Sequence, residues 1–135
     1  MLTRSKTTLA AAALALSALA GGPALAGGSV GLTVSPGTPE GDLALRTGLA
    51  IFGLANGMNG GGHIGQHGNG NAGGLLQNGS GNLGIVHQEG NGHNGTIQQN
   101  GHGNAHGLFQ FGENTDAHVQ QTGNGQSGVT VQYGF

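Results

Sequence analysis

Seven histidines carry the widest chemical repertoire in this sequence. Two pairs, His63/His67 and His102/His106, stand four residues apart. On a helix that spacing turns both rings to one side, as a bound divalent metal requires. Glycine surrounds both pairs, which argues against a helix, and no acidic third ligand stands near either. Cysteine is absent, which excludes thiolate zinc sites, disulfides and a cysteine nucleophile. No nucleophile, base and orienting group fall together as covalent catalysis needs. We therefore expect neither an enzyme nor a cofactor. What the sequence does place at regular spacing is the carboxamide, a group that both donates and accepts hydrogen bonds. Glutamine recurs at every eleventh position: Gln66, Gln77, Gln88, Gln99, Gln110, Gln121 and Gln132. Glycine follows two residues after each, at Gly68, Gly79, Gly90, Gly101, Gly112, Gly123 and Gly134. Five residues after each Gln stand Asn71, Asn82, His93, Asn104, Thr115 and Gln126 in turn. Nine after come Leu75, Val86, Ile97, Leu108, Val119 and Thr130. Position seven holds Gly73, Gly84, Gly95, Ala117 and Gly128, with His106 the one large residue.

Positions five, seven, nine and eleven differ by two, the period of a strand, so their side chains share one face. A stretch such as His67-Gly68-Asn69-Gly70 reads as a turn, because glycine permits the positive φ that chain reversals use. Each repeat unit is then one strand and one turn, and two units make one coil of the stack. The predicted fold is all-β: a β-solenoid of stacked strand-turn-strand coils, amyloid-like, with strands about 4.8 Å apart. Stacking sets Gln on Gln, Asn on Asn and aliphatic on aliphatic, and ladders of identical amides stabilise cross-β stacks. The structural ladder comprises the seven Gln with Asn71, Asn82 and Asn104, and the turn glycines are Gly68, Gly79, Gly90, Gly101, Gly112 and Gly123. No charge falls in the inward rows; Glu89, Glu113 and Asp116 lie in turns or outward. Burial of His93 and His106 in those rows would make the stack sensitive to acid. The repeat domain spans 55–135 and is degenerate over 55–65. There Gly57, Gly62 and Ile64 keep the pattern, while Ala55 and Gly60 replace Gln and Asn. Leu49, Ile51 and Ala55 are expected to add one more degenerate strand. One outer face collects Leu83, Ile85, Phe109, Val129 and Val131, an uncharged apolar surface expected to mediate bundling of fibres or attachment.

Composition narrows the class. Of 135 residues 32 are Gly, only 6% are charged and three are Lys or Arg, so a basic nucleic-acid surface is excluded. Residues 1–26 read as a secretory signal peptide. Arg4 and Lys6 precede an apolar run too short to span a membrane, and Ala24-Leu25-Ala26 fits a cleavage site. Beyond it Arg46 is the single cation against five acids, and no second long apolar run follows, so no membrane span is expected in the mature chain. Residues 27–54 hold Pro36 and Pro39 and lack the Gln spacing. They read as a mostly unstructured leader or linker.

The string Gln66-His67-Gly68-Asn69-Gly70-Asn71-Ala72-Gly73, continuing to Gln77, resembles the curlin repeat. That repeat is Gln-x-Gly-x-x-Asn-x-Ala, with the next Gln at the eleventh position. The resemblance covers 66–135 and, more weakly, 55–65. His93, Thr115 and Gln126 depart from it at the Asn position, as does Gly in place of Ala in most units. Curlins are subunits of curli, the extracellular amyloid fibres of bacterial biofilms. The resemblance implies a secreted subunit that polymerises with itself on the cell surface and serves matrix and adhesion. It also implies passage through an outer-membrane channel and growth from a nucleator subunit. Two alternatives stand beside it: the nucleator of the same fibre, and a disordered secreted chain with incidental metal binding at His. A circular dichroism time course separates a chain that shifts to β from one that stays coil.

Overall fold

The computed structural model describes residues 28–135; the signal peptide read at 1–26 lies outside the described residues. Strand β1 (Ser29–Val34) precedes helix α1 (Pro39–Ala55). Seven strands follow: β2 (Gly62–His67), β3 (Ala72–Asn78), β4 (Leu83–Asn91), β5 (Asn94–Asn100), β6 (Ala105–Glu113), β7 (Asp116–Thr122) and β8 (Ser127–Gly134). The fold is a β-solenoid of about three turns, with equivalent residues of stacked coils 22 apart.

Successive strands alternate between two parallel sheets, as a repeat of one strand and one turn requires. One sheet orders β2-β4-β6-β8 and the other β3-β5-β7. The glutamine spacing sets the register: Gln66 pairs with Gln88, Gln88 with Gln110, Gln110 with Gln132, Gln77 with Gln99 and Gln99 with Gln121. Between the sheets Val86, Ile97 and Leu108 are fully enclosed, with Leu75, Ala117 and Val119 packed against them. All belong to the aliphatic and small rows. The small row has a steric reason: a Cβ on Gly84 would come within 2.4 Å of Leu75 Cδ1, and one on Gly95 within 2.3 Å of Gln110 Oε1. Glycine there lets the opposite sheet's Leu and Gln reach across.

The turns depend on glycine twice over. Gly101 has φ 121°, where an L side chain is strained, and its Cβ would lie 1.9 Å from the Gly123 carbonyl oxygen of the next coil. Gly68, Gly79, Gly90, Gly112 and Gly123 also have positive φ. Gly90 and Gly112 do so inside the long strands β4 and β6, where the chain bends while pairing continues. Asn114 takes the left-handed conformation, φ 52°, at a place where Gly stands in other units. Asn is among the residues that tolerate it best.

Residues 28–54, the described part of the stretch read as an unstructured linker over 27–54, depart from that expectation. Strand β1 runs antiparallel to β8, from Ser29 opposite Gly134 to Val34 opposite Val129. Thr38 caps α1, its hydroxyl accepting from the Gly41 amide at 3.1 Å, and Pro39 opens the first turn beside Glu40 and Asp42. Leu49, Ile51 and Ala55 are therefore helical and not a degenerate strand; within 55–65 the only strand residues are those that begin β2. The physical reason is the helix's own packing: Leu45, Leu49 and Phe52 lie at i, i+4 and i+7 and seat against the solenoid.

Candidate functional site

The candidate site is the pair of amide ladders and the two ends at which they stop. Gln77, Gln88, Gln99 and Gln110 each direct the two N–H groups of the side chain two ways, and Gln66 makes the ladder bond alone. One donates to the Gln of the next coil: Gln66 to Gln88 at 2.7 Å, Gln77 to Gln99 at 2.8 Å, Gln88 to Gln110 at 2.8 Å, Gln99 to Gln121 at 2.8 Å and Gln110 to Gln132 at 3.0 Å. The other donates to a backbone carbonyl of the opposite sheet, as Gln99 does to Leu83 and Gln110 to Asn94, both at 3.0 Å. The side-chain bonds all point one way. Gln88, Gln99 and Gln110 are wholly buried, and their full hydrogen-bonding offsets the cost of desolvating an amide.

The inward asparagines do not bond to one another's side chains, although Asn78 and Asn100 outside that row do, at 3.0 Å. Asn82 donates to the Gly101 carbonyl at 3.0 Å, and its Oδ1 accepts from the Asn104 amide at 3.0 Å. Asn104 repeats this toward the Gly123 carbonyl at 2.9 Å and the Gln126 amide at 3.0 Å, and Asn71 toward the Gly90 carbonyl and the His93 amide. In this row the carboxamide bonds to the backbone of the neighbouring turn, so it clamps turn to turn. His93 fits the same row: Nε2 meets the Glu89 carbonyl at 3.2 Å, four residues back, as Asn82 meets that of Asn78. Its Nδ1 lies 2.8 Å from Thr115 Oγ1.

The apolar face expected to be free is not. Ile85 has no exposure, and Leu49 of α1 seats against it and Ala105, with Leu45, Phe52, Leu83 and Phe109 around them. Phe52 meets Phe109 edge-on at 5.2 Å and His87 at 5.4 Å. Val129 and Val131 stand opposite Val34 and Leu32 of β1. Helix α1 thus covers Leu83, Ile85 and Phe109 of the surface assigned to bundling, while Val129 and Val131 stay half-buried beside β1. Beneath α1, burial pushes the His87 imidazole below its usual pKa, with Glu89 opposing and the nearby His67 and His63 adding to the fall.

Polar contacts tether α1 to the C-terminal end of the stack. Arg46 pairs with Asp42 at 2.7 Å and donates to the carbonyls of Gly103 at 2.5 Å and Gln126 at 3.2 Å. Ser127 donates to the other Asp42 oxygen. The bonds from Arg46 and then Ser127 hold the Asp42 carboxyl below the usual carboxylate range. Their contribution is present above that range and lost as pH falls through the lowered value. Nearby, His106 is buried in the inward row with Nε2 3.0 Å from Thr130 Oγ1, and desolvation pushes it down to about 4.

No family model matches the chain, and neither a curated protein nor a solved structure matches it. The geometry alone therefore carries the functional reading. It joins the seven Gln into two ladders, turns Asn71, Asn82 and Asn104 to the backbone, and separates the members of the second histidine pair. His102 lies in a turn with Nδ1 3.0 Å from the Ser80 amide, while His106 is interior. Among the described residues no three His, Asp or Glu side chains converge as metal ligands would. Sequence reasoning missed the residues that hold the cover in place, Asp42, Arg46, Leu49 and Phe52. Their signal was the Thr38-Pro39-Glu40 helix start and the helical spacing of Leu45, Leu49 and Phe52.

Proposed function

We propose that this chain is the structural subunit of a secreted, curli-like amyloid fibre that assembles from copies of itself at the bacterial cell surface, in biofilm matrix and adhesion. The observation that carries the reading is the one-way glutamine ladder. Gln66 and Gln77 end it with carbonyl oxygens that accept no ladder bond, and Gln121 and Gln132 end it with a spare N–H each. Donors at one end and acceptors at the other suit head-to-tail addition, which builds an open filament and not a closed ring. Unpaired strands at sheet edges are a template for further pairing. The leader at 1–26 and the curlin-type repeat support secretion, passage through an outer-membrane channel and initiation by a nucleator subunit.

The test is incubation of residues 27–135 at micromolar concentration, with and without preformed seed. Expected is a dye-binding lag shortened by seed. The resulting fibres should give the cross-β reflections at about 4.8 Å and about 10 Å. Protein that stays monomeric for days under both conditions contradicts the reading.

A further inference from the structure

The two ends of the stack are not alike. At the N-terminal end no strand among the described residues pairs with the outer edge of β2, and the inward Ile64 is 41% exposed. At the C-terminal end the inward Gln121 and Thr130 are each only 7% exposed. Strand β1 covers the β8 half of that end. Gly28 and Phe135 exchange backbone bonds at 2.7 and 2.8 Å, Gly31 stands opposite Gln132, and Thr33 Oγ1 meets Thr130 Oγ1 at 2.9 Å. The β7 half has no such strand: β7 pairs only with β5. Beside its edge lies a cavity of about 750 Å³, walled by Val119 and Gln121 of β7, by Ser127, by Thr33 of β1, and by Ser35 and Thr38 of the β1–α1 connection.

We propose that the C-terminal end is the docking surface for a second copy of the chain, which seats its β2 on β7 and its β3 on β8, and that β1 with α1 occupies half of this surface in the monomer. The proposal deepens the fibre reading and rests on it. Seven solenoid strands alternate between two sheets, so the next repeat unit after β8 belongs beside β7. Continued at that spacing, the incoming Gln66 lies one coil beyond Gln121 and the incoming Gln77 one coil beyond Gln132. Two free oxygens then meet two free N–H groups. The first seat is the open cavity. The second is filled by β1 with the wrong polarity for continuation. An antiparallel strand satisfies the edge backbone of β8, but it sets Gly31 where the ladder needs a carboxamide. A Cβ on Gly31 would already lie 3.2 Å from Gln132 Cγ. The same strand that protects the monomer therefore cannot extend the stack. Helix α1 holds it there through Leu49 and the Asp42–Arg46 tether. Growth requires β1 to leave β8.

The test uses the absence of cysteine in the native chain. Thr33→Cys with Thr130→Cys places two thiols at directly opposed inward positions, and the disulfide pins β1 to β8. The reduced form of the same protein is the control. Expected is seeded elongation by wild-type and reduced protein, with at least a tenfold lower rate for the oxidised form. Leu49→Ala, which loosens α1, should shorten the unseeded lag severalfold. Elongation of the oxidised form at the reduced rate overturns the docking proposal and leaves the fibre reading standing. If wild-type, reduced and Leu49→Ala proteins all fail to elongate, seeded or not, the fibre reading falls and the docking surface with it.

Discussion

At Gln99 the carboxamide is wholly buried and has three partners: it donates to Gln121 and to the Leu83 carbonyl, and accepts from Gln77. Gln99→Ala strands all three. An unsatisfied buried polar group costs about 1–3 kcal/mol, so the urea midpoint should fall clearly. Asn69→Ala, at an exposed turn where only backbone groups bond to the next coil, should change it little. Equal losses would show that the side-chain ladder is not what holds the coils. His106 makes a second prediction at this scale. Its imidazole is neutral inside, with its pKa pushed down to about 4 from a usual value of about 6.5. The unfolded chain binds the extra proton first, so stability falls as pH drops below about 6.5, by about 1.4 kcal/mol per pH unit, and levels off near the folded value. His106→Ala restores the small residue that other coils carry at this position, and its denaturation midpoint should vary less between pH 7 and 5 than that of wild type. The ladder was legible because Gln, Gly and the aliphatics repeat without a gap. The partner of Asn was not. The inward Asn bonds to the neighbouring backbone while Asn78 reaches the side chain of Asn100, and repetition alone does not distinguish the two.

Helix α1 changes what the outer face of the four parallel strands can do. Without it, Leu83, Ile85 and Phe109 would form an exposed apolar patch; with it, they are the floor of a second core. Leu49→Ala removes the side chain at its centre. Core Leu→Ala substitutions cost about 2–5 kcal/mol. Here the loss should be local: faster amide exchange across 39–55 and binding of a hydrophobic dye, with exchange in β5 unchanged. A global loss of protection in both sheets would show that the helix is integral to the solenoid. The elements outside the repeat were only half legible. Val30, Leu32 and Val34 alternate as a strand should, and Thr38-Pro39-Glu40 opens a helix as a cap should. Gly41, Gly48 and Gly53 blur the helical pattern, yet the last is required. A Cβ on Gly53 would lie 2.7 Å from Met58 Sδ, just past the turn at Asn56 and Gly57. A strand that belongs to no repeat carries no mark of its partner, so the pairing of β1 with β8, far apart in sequence, is visible only once the chain is folded.

For the whole molecule, the odd number of solenoid strands has an effect that only a polymer reveals. A copy joined in register begins half a coil out of phase with the one before it, so its four-strand sheet lies over its neighbour's three-strand sheet. The operation relating neighbours is a two-fold screw and not a simple translation. With strands about 4.8 Å apart in each sheet, a copy rises about 17 Å and the axial identity period is about 34 Å. Fibre diffraction should show an off-meridional layer line at about 34 Å with the first meridional reflection at about 17 Å, and a gold label on α1 should decorate both flanks of each filament in alternation. A subunit with an even number of strands would carry its labels along one flank. In the proposed filament, the seven solenoid strands among the described residues would give opposite sides the same chemistry.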